Sequence, residues 1–384
     1  MTAPADVLRQ LAASGLRRAL RPLDSGAGVE ISRDGRPLVN FASNDYLGLA
    51  RHPDIEAAFI EGVQRYGAGA TASRLVCGSL PPHQALEDAL AGAKQAAAAL
   101  TFSSGFATAL GAIPAIVGKA DCIVLDKLCH ACLVDAARLS GATLRVFPHN
   151  DLHKLSRLLS SIRAKSATTR ILVVTESVFS MDGDLCPLRE IVELTAAQDA
   201  LLMLDEAHAI GVLGEHGMGL AEALGLQQRI AFQMGTLSKA AGLAGGYLAA
   251  SRDWIDLLIN RARSFIFSTA PPPALAHAAL TSLHLIGSRV GHDRRATLRA
   301  NIASFQQASG ILTSHATPIM PLVLGSNEAA LNASAVLERQ GMFVPAIRFP
   351  TVPRGSARLR ISLSAAHSTA AIRRLAHAIA KTED

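Results

Sequence analysis

Short apolar runs of strand length recur along the chain, and longer stretches with helical spacing separate them. The runs are Ala98–Phe102, Cys122–Leu125, Ile171–Thr175 and Leu201–Leu204, followed by a glycine-led one at Gly245–Ala250. Continuous apolar strands alternating with helices predict a mostly parallel central sheet covered by helices on both faces, an α/β fold. Before this pattern begins, residues 5–21 read as an amphipathic helix. A strand pair then turns at Asp34-Gly35, with Val29-Glu30-Ile31 on one side and Leu38-Val39-Asn40-Phe41 on the other. Around residues 283–300 the chain becomes polar and arginine-rich. The expected organisation is therefore an N-terminal helix and short strands over 1–44, a large α/β domain over 45–283 and a smaller C-terminal α/β domain over 284–384.

The stretch from Gln95 to Gly118 carries no charge and is long enough to cross a bilayer. It contains Thr101, Ser103, Ser104, Gly105 and Pro114, however, and reads as strand, turn and helix in a soluble core. Composition agrees: 49% of the 384 residues are hydrophobic and 18% charged, the reverse of a disordered chain. The net charge of +6 raises nucleic acid as a partner. The basic residues are dispersed, with small clusters only at Arg17-Arg18/Arg21 and Arg294-Arg295/Arg299, and no aromatic residues interleave with them. A basic nucleic-acid-binding protein is thus the weaker alternative. Five cysteines without a visible secretory signal do not make a disulfide framework, and Cys129-x-x-Cys132 lacks a second ligand pair for a metal. Asp6 and Asp24 among the N-terminal arginines argue against a transit peptide, so the cytoplasm is the expected location.

Four features fall where an open α/β sheet binds ligands, at the carboxyl ends of strands. Ser103-Ser104-Gly105-Phe106 joins a strand to a helix whose first N–H groups would favour a phosphate. Asp205-Glu206-Ala207-His208 follows an apolar strand, where a buried carboxylate calls for a cationic partner such as a protonated pyridine nitrogen. The same four residues match a helicase box, but no G-x-x-x-x-G-K-[ST] loop accompanies them. Lys239, in Thr236-Leu237-Ser238-Lys239, lies among small residues where a buried amine can act as a nucleophile and form a Schiff base with pyridoxal phosphate. His130 could offer a flat imidazole. Each is weak alone; together they describe a phosphate cradle, a ring-nitrogen partner, a Schiff-base lysine and a stacking ring.

With these motifs the sequence resembles the α-oxoamine synthases, fold-type-I pyridoxal-phosphate enzymes. The resemblance runs from about Asn40 to His367. It is carried by Ser43-Asn44-Asp45-Tyr46-Leu47-Gly48-Leu49, the segment Thr175–Asp184, Asp205-Glu206-Ala207-His208, and Ala346-Ile347-Arg348 leading to Pro350-Thr351-Val352-Pro353. It implies pyridoxal 5'-phosphate as cofactor, with Lys239 as its anchor and Asp205 on the ring nitrogen. His130 would stack on the ring and help bind substrate. His208 and Ser180 would lie near the phenolic oxygen, and Gly105, Phe106 and Thr236 near the phosphate. Ser268 and Thr269 would reach the phosphate of a partner subunit, which implies a homodimer with no membrane or nucleic-acid partner. Arg360 would grip the amino-acid carboxylate, with Asn44, Thr351, Arg348 and Arg18 as further substrate contacts. The Ala-Ile-Arg-x-Pro-Thr-Val-Pro stretch favours the branch that condenses L-alanine with pimeloyl-CoA or pimeloyl-acyl carrier protein, with loss of CO2. Glycine C-acetyltransferase is the sister alternative.

Overall fold

The computed structural model describes residues 3–24, 26–313 and 315–380. In chain order its strands are β1 (Glu30–Arg33), β2 (Arg36–Asn40), β3 (Ala98–Phe102), β4 (Cys122–Asp126), β5 (Thr143–Phe147), β6 (Ile171–Glu176) and β7 (Leu201–Asp205). They continue with β8 (Phe232–Thr236), β9 (Gly246–Ala250), β10 (Ile319–Gly325), β11 (Met342–Phe343), β12 (Ala346–Ile347) and β13 (Ala357–Ser362). The chain divides into two compact units. The larger comprises Leu49–Ser180 and Asp184–Arg295; the smaller comprises the residues up to Gly48, Met181–Gly183 and those from Ala296 onward.

The larger unit is built on a seven-stranded sheet in the order β3-β9-β8-β7-β6-β4-β5. Strands β4 to β8 run parallel to one another, and β9 runs antiparallel to both β3 and β8. Alternate side chains of each strand enter opposite apolar cores, as strand geometry requires. Ile123, Leu125, Leu172, Val174, Met203 and Phe232 point into one core, with Ala109, Ile113, Leu133 and Leu258 from helices Gly105–Ile116, Ala131–Leu139 and Arg252–Arg261. Cys122, Val124, Ile171, Val173, Leu202 and Leu204 point into the other, with Leu155 and Leu159 from helix Leu152–Lys165 and Ile191 and Val192 from helix Leu188–Ala197. Each fully buried Leu or Ile contributes roughly 1.5–3 kcal/mol. The uncharged stretch Gln95–Gly118 is β3, a two-residue turn and the following helix. Among the described residues no helix is long and apolar enough to cross a membrane.

In the smaller unit β1 and β2 form a hairpin in which Arg33 faces Arg36 across Asp34-Gly35. Strand β11 adds to β2 in parallel, joining residues about 300 positions apart, and β10, β13 and β12 form a second, antiparallel sheet. Helices Asn327–Arg339 and Thr369–Ala380 belong to the same unit. The N-terminal helix is shorter than the expected 5–21: it spans Pro4–Ala13. Gly15 takes a φ of 64°, and the amides of Leu16 and Arg17 both fold back onto the Leu11 carbonyl, which ends the helix as glycine after the last turn commonly does.

Candidate functional site

A cleft of about 190 Å³ opens at the carboxyl ends of the parallel strands. Its lining includes Gly105, Phe106, His130, Glu176, Asp205, His208, Thr236 and Lys239, all at or just beyond the ends of five strands, β3, β4, β6, β7 and β8. Beyond β3, Ser104 caps the next helix by accepting from the Ala107 amide (3.1 Å), so the first N–H groups of that helix, at Gly105 and Phe106, face the cleft without an intrahelical acceptor. Gly246, at the start of β9, lies so close that a Cβ there would come within 2.5 Å of the Gly105 nitrogen. The Thr236 hydroxyl donates to the Gly245 carbonyl (2.7 Å) and lies 2.8 Å from Ser238 Oγ, tying the end of β8 to the start of β9.

Glu176 and Asp205 are register partners on β6 and β7, which places two carboxyl groups side by side. Both are buried. Burial first, and then the Asp205 charge, push Glu176 up to about 8. Burial also raises Asp205, and the Lys239 ammonium opposes that shift. Asp205 Oδ1 accepts from the Ala207 amide at 2.9 Å, leaving the rest of the carboxylate for a cationic donor. Lys239 Nζ stands 2.7 Å from His208 Nε2.

His130 caps helix Ala131–Leu139, and its backbone amide donates to Glu176 Oε1. His130 is exposed, yet the groups packed around its ring dehydrate it and, with the Lys239 charge, pull its pKa below the ordinary imidazole range. The neutral ring accepts from the Cys132 amide at Nδ1 (3.2 Å), and the Cys132 thiol lies 3.0 Å from the same nitrogen. Burial holds that thiol protonated. With Nδ1 occupied as acceptor, the imidazole proton sits on Nε2.

The cleft thus gathers Lys239, Asp205, His130, His208, Gly105, Phe106 and Thr236. Ser180 is buried in the connection after β6 and does not line the cleft. Ser268 and Thr269 lie at a turn where Thr269 bridges to Ser73, also away from it. Two groupings appear within the smaller unit. Arg360 Nη1, on β13, donates to Asn44 Oδ1 (3.0 Å) and Ser362 Oγ (2.7 Å), and Nη2 to the Tyr46 hydroxyl (3.3 Å). Arg18 Nη2 meets Thr351 Oγ1 (3.2 Å), and Arg348 donates to the Gly15 carbonyl and accepts at its own carbonyl from the Thr351 amide. Glu176 and Tyr46 were not singled out by sequence, although both stand inside the quoted motifs, which was the available signal; Cys132 was weighed only as a metal ligand.

These donors fit pyridoxal phosphate by their chemistry: a helix N-terminus for a phosphate, a buried carboxylate with a raised pKa for a pyridinium, an amine for the carbonyl carbon, and a neutral aromatic face. The aminotransferase class I and II family model matches residues 36–379. The 8-amino-7-oxononanoate synthase of Anaeromyxobacter dehalogenans is 48% identical over 369 residues, 95% of this chain and 91% of that protein. The enzyme of the same name from Burkholderia thailandensis is 48% identical over 384 residues, covering 97% and 95%. Among solved structures, serine palmitoyltransferase of S. paucimobilis superposes with a TM-score of 0.92 at 28% identity, covering 98% of this chain and 96% of that one. The 8-amino-7-oxononanoate synthase of Francisella tularensis superposes with a TM-score of 0.75 at 28% identity, covering 90% and 97%. The chain belongs to the aminotransferase class I and II family and, within it, groups with the 8-amino-7-oxononanoate synthases.

Proposed function

We propose that the protein is a pyridoxal-phosphate-dependent acyltransferase that condenses L-alanine with a pimeloyl thioester, giving 8-amino-7-oxononanoate, the free thiol and CO2 in biotin biosynthesis. The observation that carries this reading is the gathering of Lys239, Asp205, His130 and a helix N-terminus in one cleft of a chain 48% identical to 8-amino-7-oxononanoate synthases over nearly its whole length. When bound, the cofactor supplies an electron sink for a carbanion at the alanine Cα.

The chain's own residues do the rest. Lys239 Nζ would hold the cofactor by its carbonyl carbon, and its amine would take the Cα proton of alanine and later return one. Asp205 holds a proton on the ring nitrogen; without that proton the sink is weaker. Its burial strengthens the charge-assisted hydrogen bond. His130 offers the neutral imidazole face for stacking, and its Nε2–H would donate to a developing oxyanion. The Gly105 and Phe106 amides bind phosphate, with Thr236 shaping the turn. His208, beside Lys239 Nζ, serves the phenolic oxygen.

Arg360 binds the alanine carboxylate, oriented by Asn44, and Arg18, Arg348 and Thr351 bind the acyl substrate. The carrier is coenzyme A or acyl carrier protein, and both are anionic. The protein works as a cytoplasmic homodimer. Phe267, 71% exposed, and the exposed Leu75 and Val76 of the turn beside the Ser73–Thr269 bridge form an apolar surface suited to a second copy, so that Ser268 and Thr269 serve its phosphate.

The test is thiol release by purified protein loaded with pyridoxal phosphate. L-alanine with pimeloyl-CoA or pimeloyl-acyl carrier protein is expected to give turnover. Release with glycine and acetyl-CoA alone would assign the sister activity instead.

A further inference from the structure

His149 lies two residues beyond β5, outside the cleft lining. Its Nδ1 is 3.1 Å from Asp126 Oδ1, and its Nε2 is 2.7 Å from Asp184 Oδ2. Ionised carboxylates only accept, so both ring nitrogens donate and the ring is a cation. Burial opposes that charge, but the hydrogen bonds the ring donates to both aspartates outweigh it and lift the pKa to about 10.

Each aspartate organises a segment that leads into the cleft. Asp126 is completely buried at the end of β4. Its Oδ1 also accepts from the Leu128 amide (2.8 Å) and its Oδ2 from the Asn150 amide (2.9 Å). Its carbonyl accepts from the Cys129 amide (3.1 Å), which closes the turn that delivers His130. Asp184 closes the connection after Glu176: its carbonyl accepts from the Phe179 amide (3.0 Å), and its Oδ2 also receives the Asn150 side chain (3.3 Å). The Phe179 ring, next to Ser180, meets the His149 ring edge-on at 4.3 Å and 87°.

We propose that His149 is a positioning residue that, by bridging Asp126 and Asp184, locks the turn carrying His130 to the connection carrying Ser180 and so fixes the geometry of the cofactor cleft. This rests on the proposed function. Two segments that would otherwise settle independently share one rigid cross-piece. The bridge also offsets the charge of Asp126, one of the negative groups that push Glu176 up.

The test compares wild-type protein with His149→Ala, His149→Gln and Asp184→Asn. Its readouts are the dissociation constant for pyridoxal phosphate, the visible circular dichroism of the bound cofactor, kcat, KM for L-alanine and Tm. His149→Ala is expected to lower kcat about 10- to 100-fold, the scale of a misplacement of about 1 Å at a catalytic group. It should also weaken cofactor binding and change the dichroic band, while KM for L-alanine stays within about threefold because binding contacts made equally in both states are untouched. His149→Gln, which can still donate to one carboxylate, is expected to recover part of kcat. Asp184→Asn keeps an acceptor for Nε2 and should show a smaller loss of the same kind; it carries the test if His149→Ala does not fold. A lower Tm with unchanged kcat, cofactor affinity and dichroism would overturn the proposal and leave His149 a stability residue. Wild-type protein that binds no pyridoxal phosphate would overturn the functional reading beneath it, so the two failures are distinct.

Discussion

The sheet-end cleft and the Arg360 grouping handle buried charge in opposite ways. In the cleft, Glu176 and Asp205 stand side by side with raised pKa values, and Lys239 is the cation that lowers both. This is an acidic site made costly by burial and waiting for a positive group such as a pyridinium. Around Arg360, three partners are neutral: the Asn44 amide oxygen and the hydroxyls of Ser362 and Tyr46. Neutral acceptors such as these orient a guanidinium without cancelling its charge. On the proposed function, the cleft serves charge that changes during reaction and the Arg360 grouping a charge that does not.

The contrast can be broken at several points. Lys239→Ala should remove the proton carrier and lower kcat by at least about 10³-fold, within the range for lost acid–base catalysis, as steady-state thiol release would reveal. Appreciable turnover in that variant would end the assignment. Asp205→Asn keeps the shape but not the charge; a loss of about 10²- to 10³-fold in kcat is expected, the scale of a lost electrostatic stabiliser. Arg360→Lys should act on binding instead, raising KM for L-alanine about 10- to 100-fold, the equivalent of a charged hydrogen bond. If it lowered kcat as much as it raised KM, the proposed division between the two regions would fail.

The smallest expected effect concerns pH. His149, faced by Asp126 and Asp184, has a folded-state pKa of about 10, above its ordinary 6.5. The stability it provides is complete below pH 6.5 and is lost as pH rises through 10. Thermal unfolding of His149→Gln should therefore show a flatter decline over that window than wild type. Parallel curves would show that the charge on this ring is not linked to folding.

Within the seven-stranded sheet, the strands legible in the sequence were those buried on both faces. β4, β6 and β7 are near-continuous apolar runs, and the charge-free stretch around β3 separated cleanly into strand, turn and helix. Two members of that sheet were not read. β5 is largely exposed, so Thr143-Leu144-Arg145-Val146-Phe147 carries little of the apolar signal. β8 contains Gln233 and Gly235, the latter because the Tyr247 hydroxyl would lie 2.5 Å from any Cβ there. The antiparallel direction of β9 and the pairing of β11 with β2 are tertiary facts that no local pattern encodes. Of the candidate site, the residues next to strand ends stood out because a polar group after an apolar run is conspicuous. His149 did not, because its importance comes from Asp126 and Asp184, which lie 23 residues before it and 35 after it.

The segment that carries Lys239 is stitched shut. The Leu237 amide bonds to the Gly245 carbonyl (3.0 Å), the Leu243 amide to the Leu237 carbonyl (3.0 Å) and the Gly242 amide to the Lys239 carbonyl (2.8 Å). A Cβ on Gly242 would press within 2.5 Å of the Ala50 nitrogen. The amine therefore travels on its side-chain torsions alone, a short tether swinging from a fixed post. A single inserted or deleted residue between 237 and 245 would move that post, so laboratory evolution of new acyl or amino-acid preferences should find this stretch closed to changes of length, whatever substitutions it accepts.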